Sequence, residues 1–314
     1  RTDMAIKRPE QMDFSGKTFT MIISGSPGIG KTTLAMSAPN PILFDLDHGV
    51  SRIRAEHRGL TSEDDTYAEL LEDMETPEYQ QADSVILDTG GSLIQLMQPW
   101  AKAQDAKAAR DGRAMFGVVK REFDRLTAKI RGDHKNCLII FHTTEVQKGD
   151  VITQRLSCEG SAKDIVWTPA DLGCYMYVMG GRRMLGFTPT DEYFAKGCYG
   201  IKGLIEVPEL KSGQKNDFLT RLFKQARQNI ATEMETYLPQ RSAYDAAMEE
   251  GLAVIATLEN VEDLNAAAEQ IGQMQHALTS KKELGAALNA KAKELGATYS
   301  KEAKAYVQAD VQPA

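Results

Sequence analysis

The sequence predicts an α/β fold: a mostly parallel central sheet carrying a phosphate-binding loop, followed by a small C-terminal α-helical domain. Three observations carry that reading. Residues 25–32, Gly25-Ser26-Pro27-Gly28-Ile29-Gly30-Lys31-Thr32, fit the eight-residue glycine-rich loop with both framing glycines, the lysine and the hydroxyl in place. Short apolar runs, each closing on a polar side chain, alternate with stretches of helical periodicity, as strands crossed over by helices do. Beyond about residue 210 only helical spacing remains.

Residues 1–16 (RTDMAIKRPEQMDFSG) are polar, broken by Pro9 and Gly16, and read as an arm before the core. Residues 18–24 (TFTMIIS) read as a buried strand and residues 33–38 as a helix, which is the strand-loop-helix context the motif requires. In such a loop the glycines turn backbone N–H groups toward phosphates and the helix N-terminus adds partial positive charge. Pro27 pre-sets the backbone, Lys31 reaches the β- and γ-phosphates, and the Thr32 hydroxyl, followed by Thr33, serves magnesium. A second run, residues 41–44 (PILF), leads into Asp45-Leu46-Asp47-His48-Gly49. Side chains two apart on a strand share a face, so Asp45 and Asp47 are expected together at the carboxyl end of the sheet, where one can orient or deprotonate a water. The other reading is that they cap the next segment, with Arg52 or Arg54 as counter-charge.

Residues 63–79 read as an acidic surface helix, and residues 84–88 (SVILD) as a third strand ending in Asp88, followed by Thr89. An apolar strand closing on Asp has the form of the second magnesium-site motif. Between residues 102 and 131 nine Lys or Arg stand against four Asp or Glu, and Asp111-Gly112 interrupts two helical stretches. That is either a basic loop able to follow a phosphate backbone or a solvated helix face. A fourth run, residues 136–141 (NCLIIF), ends at His142, where a polar group can sense the γ-phosphate. Residues 146–171 show little periodicity and are expected as a long functional loop holding Lys148, Arg155, Lys163 and an exposed Trp167. Residues 174–179 and 182–188 around Gly180-Gly181 spell a hairpin. The expected organisation is an arm (1–16), an α/β core (17–210) and a helical domain with a mobile tail (211–314).

Length and composition fit this plan: 314 residues, 42% hydrophobic and 26% charged, support one large domain and a smaller one without staples. The four cysteines form no Cys-x-x-Cys pair, which argues against zinc and for a reducing compartment. A net charge of −7 argues against histone-like coating of nucleic acid, so any such contact must come from local patches. The sequence contains no apolar run of membrane-spanning length and opens on no apolar leader; the expectation is a cytoplasmic protein without a membrane partner.

These residues resemble a known family. FDLDHG, about a dozen residues after the loop, resembles the RecA segment in which an acidic residue followed by His activates the attacking water; Asp47 and His48 occupy those positions, with Asp where RecA has Glu. VILDT resembles the RecA strand whose Asp serves magnesium, here Asp88, and IIFH the strand whose Gln couples the γ-phosphate to DNA, here His142. The order HTTE, a polar loop, DIVWTPADL, a Gly-Gly hairpin and FAKG is closer still to phage-encoded RecA-like P-loop ATPases, shortened recombinase cores that act as single-strand annealing proteins.

The resemblance covers residues 17–210. It implies ATP and Mg²⁺ as ligands, Asp47 as general base and His142 as relay. It also implies two DNA-facing loops, one around Arg110 and Arg113 and one around Lys148, Arg155 and Lys163, with Lys196 reaching a neighbour's nucleotide. The expected partners are single-stranded DNA, further copies in a filament or ring, and a single-strand binding or replication protein at the helical domain, in a host cytoplasm. A helicase-type ATPase or helicase loader is the rival reading; a small-molecule kinase lacks a compact Arg-rich lid, and a regulatory switch would bind nucleotide without turnover.

Overall fold

The computed structural model describes residues 7–148, 151–158 and 166–308. They fall into two compact units, Phe14–Ile230 and a second made of Arg1–Asp13 with Ala231–Ala314.

The larger unit is built on β1 (Thr20–Gly25), β2 (Pro41–Asp45), β3 (Leu60–Ser62), β4 (Ser84–Asp88), β5 (Asn136–Lys148), β6 (Val151–Leu156), β7 (Leu172–Met179), β8 (Arg182–Gly186) and β9 (Leu204–Val207). Their order across the sheet is β3-β2-β4-β5-β1-β7-β8-β9, with β6 paired to β5. From β3 to β7 neighbours along this path are parallel, and β8 and β9 are added antiparallel. The apolar runs are continuous because both faces are covered. Ile22, Val85, Leu87, Ile139 and Phe141 point into one core, while Met21, Ile23, Ile86, Leu138, Ile140 and Cys174 point into the other.

The first core is closed by α2 (Tyr67–Asp73), α4 (Gly90–Gln104) and α5 (Gly112–Gly132), with α3 (Pro77–Gln81) contributing Tyr79. The second receives the five-residue α1 (Lys31–Ala35), with Val50 and Ile53 from the segment after β2. Its cover is completed by the start of α6 (Phe218–Ala256), whose Leu219, Leu222, Phe223 and Ala226 are buried against the sheet. This corrects the expected boundary near residue 210: a short α1 leaves the sheet face bare, and the next amphipathic segment is drawn onto it. Asn216 Nδ2 donates to Thr33 O at 2.7 Å and the Leu219 N–H to Ser37 Oγ at 2.9 Å, fixing the connection.

The long loop expected over residues 146–171 is also corrected. Strand β5 does not stop at Phe141 but continues to Lys148 and pairs antiparallel with β6, Thr143 opposite Leu156 and Lys148 opposite Val151. The signal was the β-rich runs TTEVQ and VITQ on either side of Gly149-Asp150.

In the smaller unit, the second part of α6, α7 (Val261–Gln273) and α8 (Ser280–Glu294) share a core of Ile255, Leu258, Leu264, Ile271, Leu284 and Leu288. The unit is not wholly helical. A hairpin, β10 (Ala297–Ser300) with β11 (Ala305–Gln308), comes after Gly296 and buries Ala297 and Tyr306. Asn265 ties it to α7, accepting from the Tyr306 N–H at 2.7 Å and donating to its carbonyl at 3.0 Å. Of the tail, Val307 and Gln308 belong to β11 and residues 309–314 lie outside the described residues, as do residues 1–6 of the arm. Among the described residues no helix is long and apolar enough to cross a membrane.

Phe223 is fully buried, so Phe223→Ala is expected to destabilise the larger unit by about 3–5 kcal/mol in urea unfolding. A chain ending at residue 210 should lose cooperative unfolding; unchanged stability in both would return the boundary to 210.

Candidate nucleotide site

The site begins where β1 runs out of room. Gly25 is level with His142 of β5 on one side and Met176 of β7 on the other. A Cβ on Gly25 would lie 2.5 Å from the Met176 carbonyl oxygen, so glycine is required where the chain leaves the sheet. Ser26, Pro27 and Gly28 form an exposed tip, and Ile29 turns inward onto the second core. Gly30, at φ 106°, caps α1 in a conformation that side-chain-bearing residues rarely adopt.

Lys31, 4% exposed, folds back on this loop. Its Nζ donates to Gly25 O at 3.0 Å and Ser26 O at 2.9 Å, and lies 3.1 Å from His142 Nδ1. Burial lowers its pKa to about 8 against the opposing pull of Asp88 and Asp47. With Lys31 as donor, Nδ1 of His142 is an acceptor, and a neutral imidazole then carries its proton on Nε2. That nitrogen faces Asp47 Oδ2 at 3.9 Å. His142 foremost, and Arg52 as well, hold the Asp47 carboxyl below the usual carboxylate range against the effect of burial. Thr32 Oγ1 donates to Asp88 Oδ2 at 2.6 Å. Asp88 is 5% exposed, and burial pushes its pKa up to about 6 although the Thr32 bond pulls it down.

These groups line one small pocket of about 110 Å³, which holds Gly28, Gly30, Lys31, Thr32, Thr33, Asp47, Asp88 and His142 together with Arg52. Beyond Gly28 and Gly30 a cavity of about 290 Å³ adjoins it, walled by Leu34, Met176, Val207, Pro208 and Phe218 and by Arg52 and Arg183. Arg183 Nε donates to Ile29 O at 3.0 Å, laying a guanidinium across the loop. Neither Arg52 nor Arg183 was assigned to this site from sequence as a ligand-facing group; the position of Arg183 depends on a contact spanning 154 residues.

The paired-carboxylate expectation is corrected. Strand β2 ends at Asp45, so the two-residue alternation does not extend to Asp47. Asp45 turns inward at 1% exposure and accepts from the Gly49 N–H at 2.8 Å and the Val50 N–H at 2.6 Å. It is the cap, and only Asp47 reaches the pocket.

The remaining candidates lie elsewhere. Arg110 is exposed in the turn before α5 and Arg113 in the first turn of that helix, where Asp111 caps it by accepting from the Arg113 N–H. Arg155 is exposed on β6 and lines a separate cleft. Lys148 is the last residue of β5, and Lys163 lies outside the described residues. The Lys196 ammonium donates to Ala170 O of its own chain, so reaching a neighbour's nucleotide requires releasing that bond.

A family model described as an AAA domain matches residues 17–199, more than half of the chain. The chain belongs to this AAA domain family. The AAA domain match spans the phosphate loop, Asp47, Asp88, His142 and the β7-β8 hairpin, and ends before β9 and α6. Together with the strand order, it makes the larger unit a RecA-like P-loop ATPase fold. Among solved structures the chain is similar to a KaiC-like protein from the hyperthermophilic archaeon Pyrococcus horikoshii OT3. The two are 11% identical over 60% of this chain and 89% of that one, with a TM-score of 0.35, too low to add to the AAA domain assignment. No curated protein matches the chain.

Asp45 and Asp47 should separate in a stability measurement. Asp45→Ala strands two half-buried N–H groups and is expected to cost about 2 kcal/mol in urea unfolding, whereas Asp47→Asn should change stability by less than about 0.5 kcal/mol. Equal losses would refute the division of roles.

Proposed function

We propose that this protein hydrolyses ATP in the pocket around Lys31, assembles on single-stranded DNA, and promotes annealing or strand exchange in phage-type homologous recombination. The observation that carries the ATPase part is the convergence of Lys31, Thr32, Asp88, Asp47 and His142 on one pocket at the sheet's carboxyl end. Lys31 leaves its two loop carbonyls for the β- and γ-phosphates, and the exposed loop tip supplies backbone N–H groups. The adjoining cavity takes the ribose and base, with Arg183 and Arg52 as nearby cations.

The Thr32 hydroxyl and Asp88 carboxylate, two hard oxygen donors side by side, suit Mg²⁺. When bound, such an ion neutralises charge on the phosphate oxygens. Asp47, kept ionised by His142 and Arg52, accepts the proton of the attacking water. His142, touching both Asp47 and Lys31, relays the state of the pocket along β5 into the β5-β6 hairpin.

The DNA part is supported by the basic turn at Arg110 and Arg113 and by Arg155 on that hairpin. Copies of the chain would assemble along the strand, and the smaller unit would carry a single-strand binding or replication partner.

ATP turnover measured with and without single-stranded DNA tests the reading, with Lys31→Ala as blank. Stimulation by single strands but not duplex is expected, and its absence would remove the DNA role. Asp47→Asn should keep ATP affinity and lose turnover by about 10²–10⁴-fold; full activity would exclude Asp47 as the base.

A further inference from the structure

A second cavity, of about 560 Å³, lies beside the first core and contains none of the nucleotide-pocket residues. One wall is aromatic. Trp167 meets Phe194 edge-on with centroids 4.5 Å apart, and Tyr175 stacks on Tyr193 at 4.7 Å and 26°. Two glycines make the space these rings occupy. A Cβ on Gly173 would fall 2.2 Å from Trp167 Cζ3, and one on Gly186 would fall 2.3 Å from the Tyr193 hydroxyl. Phe194 is 53% exposed at the edge of this wall, a large aromatic surface left in water.

The polar part of the lining comes from the β5-β6 hairpin. It includes Thr143, whose hydroxyl has Tyr175 of the same lining as its polar neighbour, and the exposed guanidinium of Arg155. A purely apolar occupant would leave the Arg155 guanidinium and the Thr143 hydroxyl unused. An occupant that satisfies all three features has a flat π-face, hydrogen-bonding edges and a negative charge within reach of the arginine.

We propose that this cleft binds a base of single-stranded nucleic acid, the ring lying against Trp167 and Phe194, its edge toward Thr143 and its phosphate toward Arg155. A base within a duplex has its faces covered by its neighbours, so the cleft selects single strands. The proposal rests on the DNA reading above and adds the site: recognition is by stacking in a pocket, not by backbone charge alone.

The test compares labelled oligothymidylate of about 15 nucleotides, within the span of known single-strand sites, with an abasic strand of the same length. Fluorescence anisotropy reads binding to the full chain in the presence of ATP. The base-bearing strand should bind about ten-fold more tightly, a factor in the range of aromatic stacking. Phe194→Ala, which removes an exposed side chain, should erase that ratio while leaving salt-dependent binding of both strands. In a Trp100→Phe background Trp167 is the one remaining tryptophan, and the thymidylate strand should quench it.

Equal affinity of the two strands, or a ratio unmoved by Phe194→Ala, would overturn the cleft while leaving DNA binding intact. No anisotropy change with either strand would overturn the DNA reading and this site with it. The affinity ratio needs no altered tryptophan, so the outcome stands even if the Trp100→Phe chain fails to fold.

Discussion

The structure depends on the confinement of β1. With β5 paired on one side and β7 on the other, Gly25 has no space for a side chain, and the chain can leave the sheet only by a glycine. That exit sets the geometry of the whole pocket. The loop turns back so that Lys31 meets the carbonyls of Gly25 and Ser26, and α1 starts with Thr32 directed at Asp88 of a strand two places away. Interposing β5 between β1 and β4 also puts His142 beside Lys31.

Burial shifts the charges in this pocket in opposite senses. Lys31 is made less willing to hold its proton and Asp88 more willing, because each ion lacks the solvent it would have in water. Lys31 is served by loop carbonyls and Asp88 by a hydroxyl, partners that satisfy hydrogen bonds without cancelling charge. A polyanion presented to Lys31 and a hard cation presented to Asp88 would each supply the missing counter-charge, and neither alone would supply both. On the proposed function, that favours a magnesium-bound triphosphate over a bare one.

How much the sequence revealed depends on how local each signal is. The phosphate loop, the strand run before Asp88 and the Gly180-Gly181 hairpin were legible because their determinants lie within a few neighbouring residues. The fate of Asp45 and Asp47 was not, since it turns on whether β2 ends at residue 45 or two residues later. The extension of β5 past His142 was missed because His142 read as a strand end, although the paired runs around Gly149-Asp150 carried a hairpin signal. Helical periodicity over residues 218–226 was visible, but its partner was a sheet face assembled from strands far upstream. Arg183 reaches Ile29 only through the fold, which no pattern near either residue announces.

The two sites in the larger unit are related by strand alternation. Along β1, β5 and β7 the successive pairs Ser24 and Gly25, His142 and Thr143, Tyr175 and Met176 point to opposite faces of the sheet. Gly25, His142 and Met176 belong with the nucleotide pocket and its adjoining cavity; Ser24, Thr143 and Tyr175 line the aromatic cleft. One layer of backbone, shared by three hydrogen-bonded strands, separates them. On the proposed function, a nucleotide that moved His142 would also move the backbone carrying Thr143. Because the central strands are packed on both faces, the two proposed sites would be joined through adjacent residues of one strand, with no moving domain required.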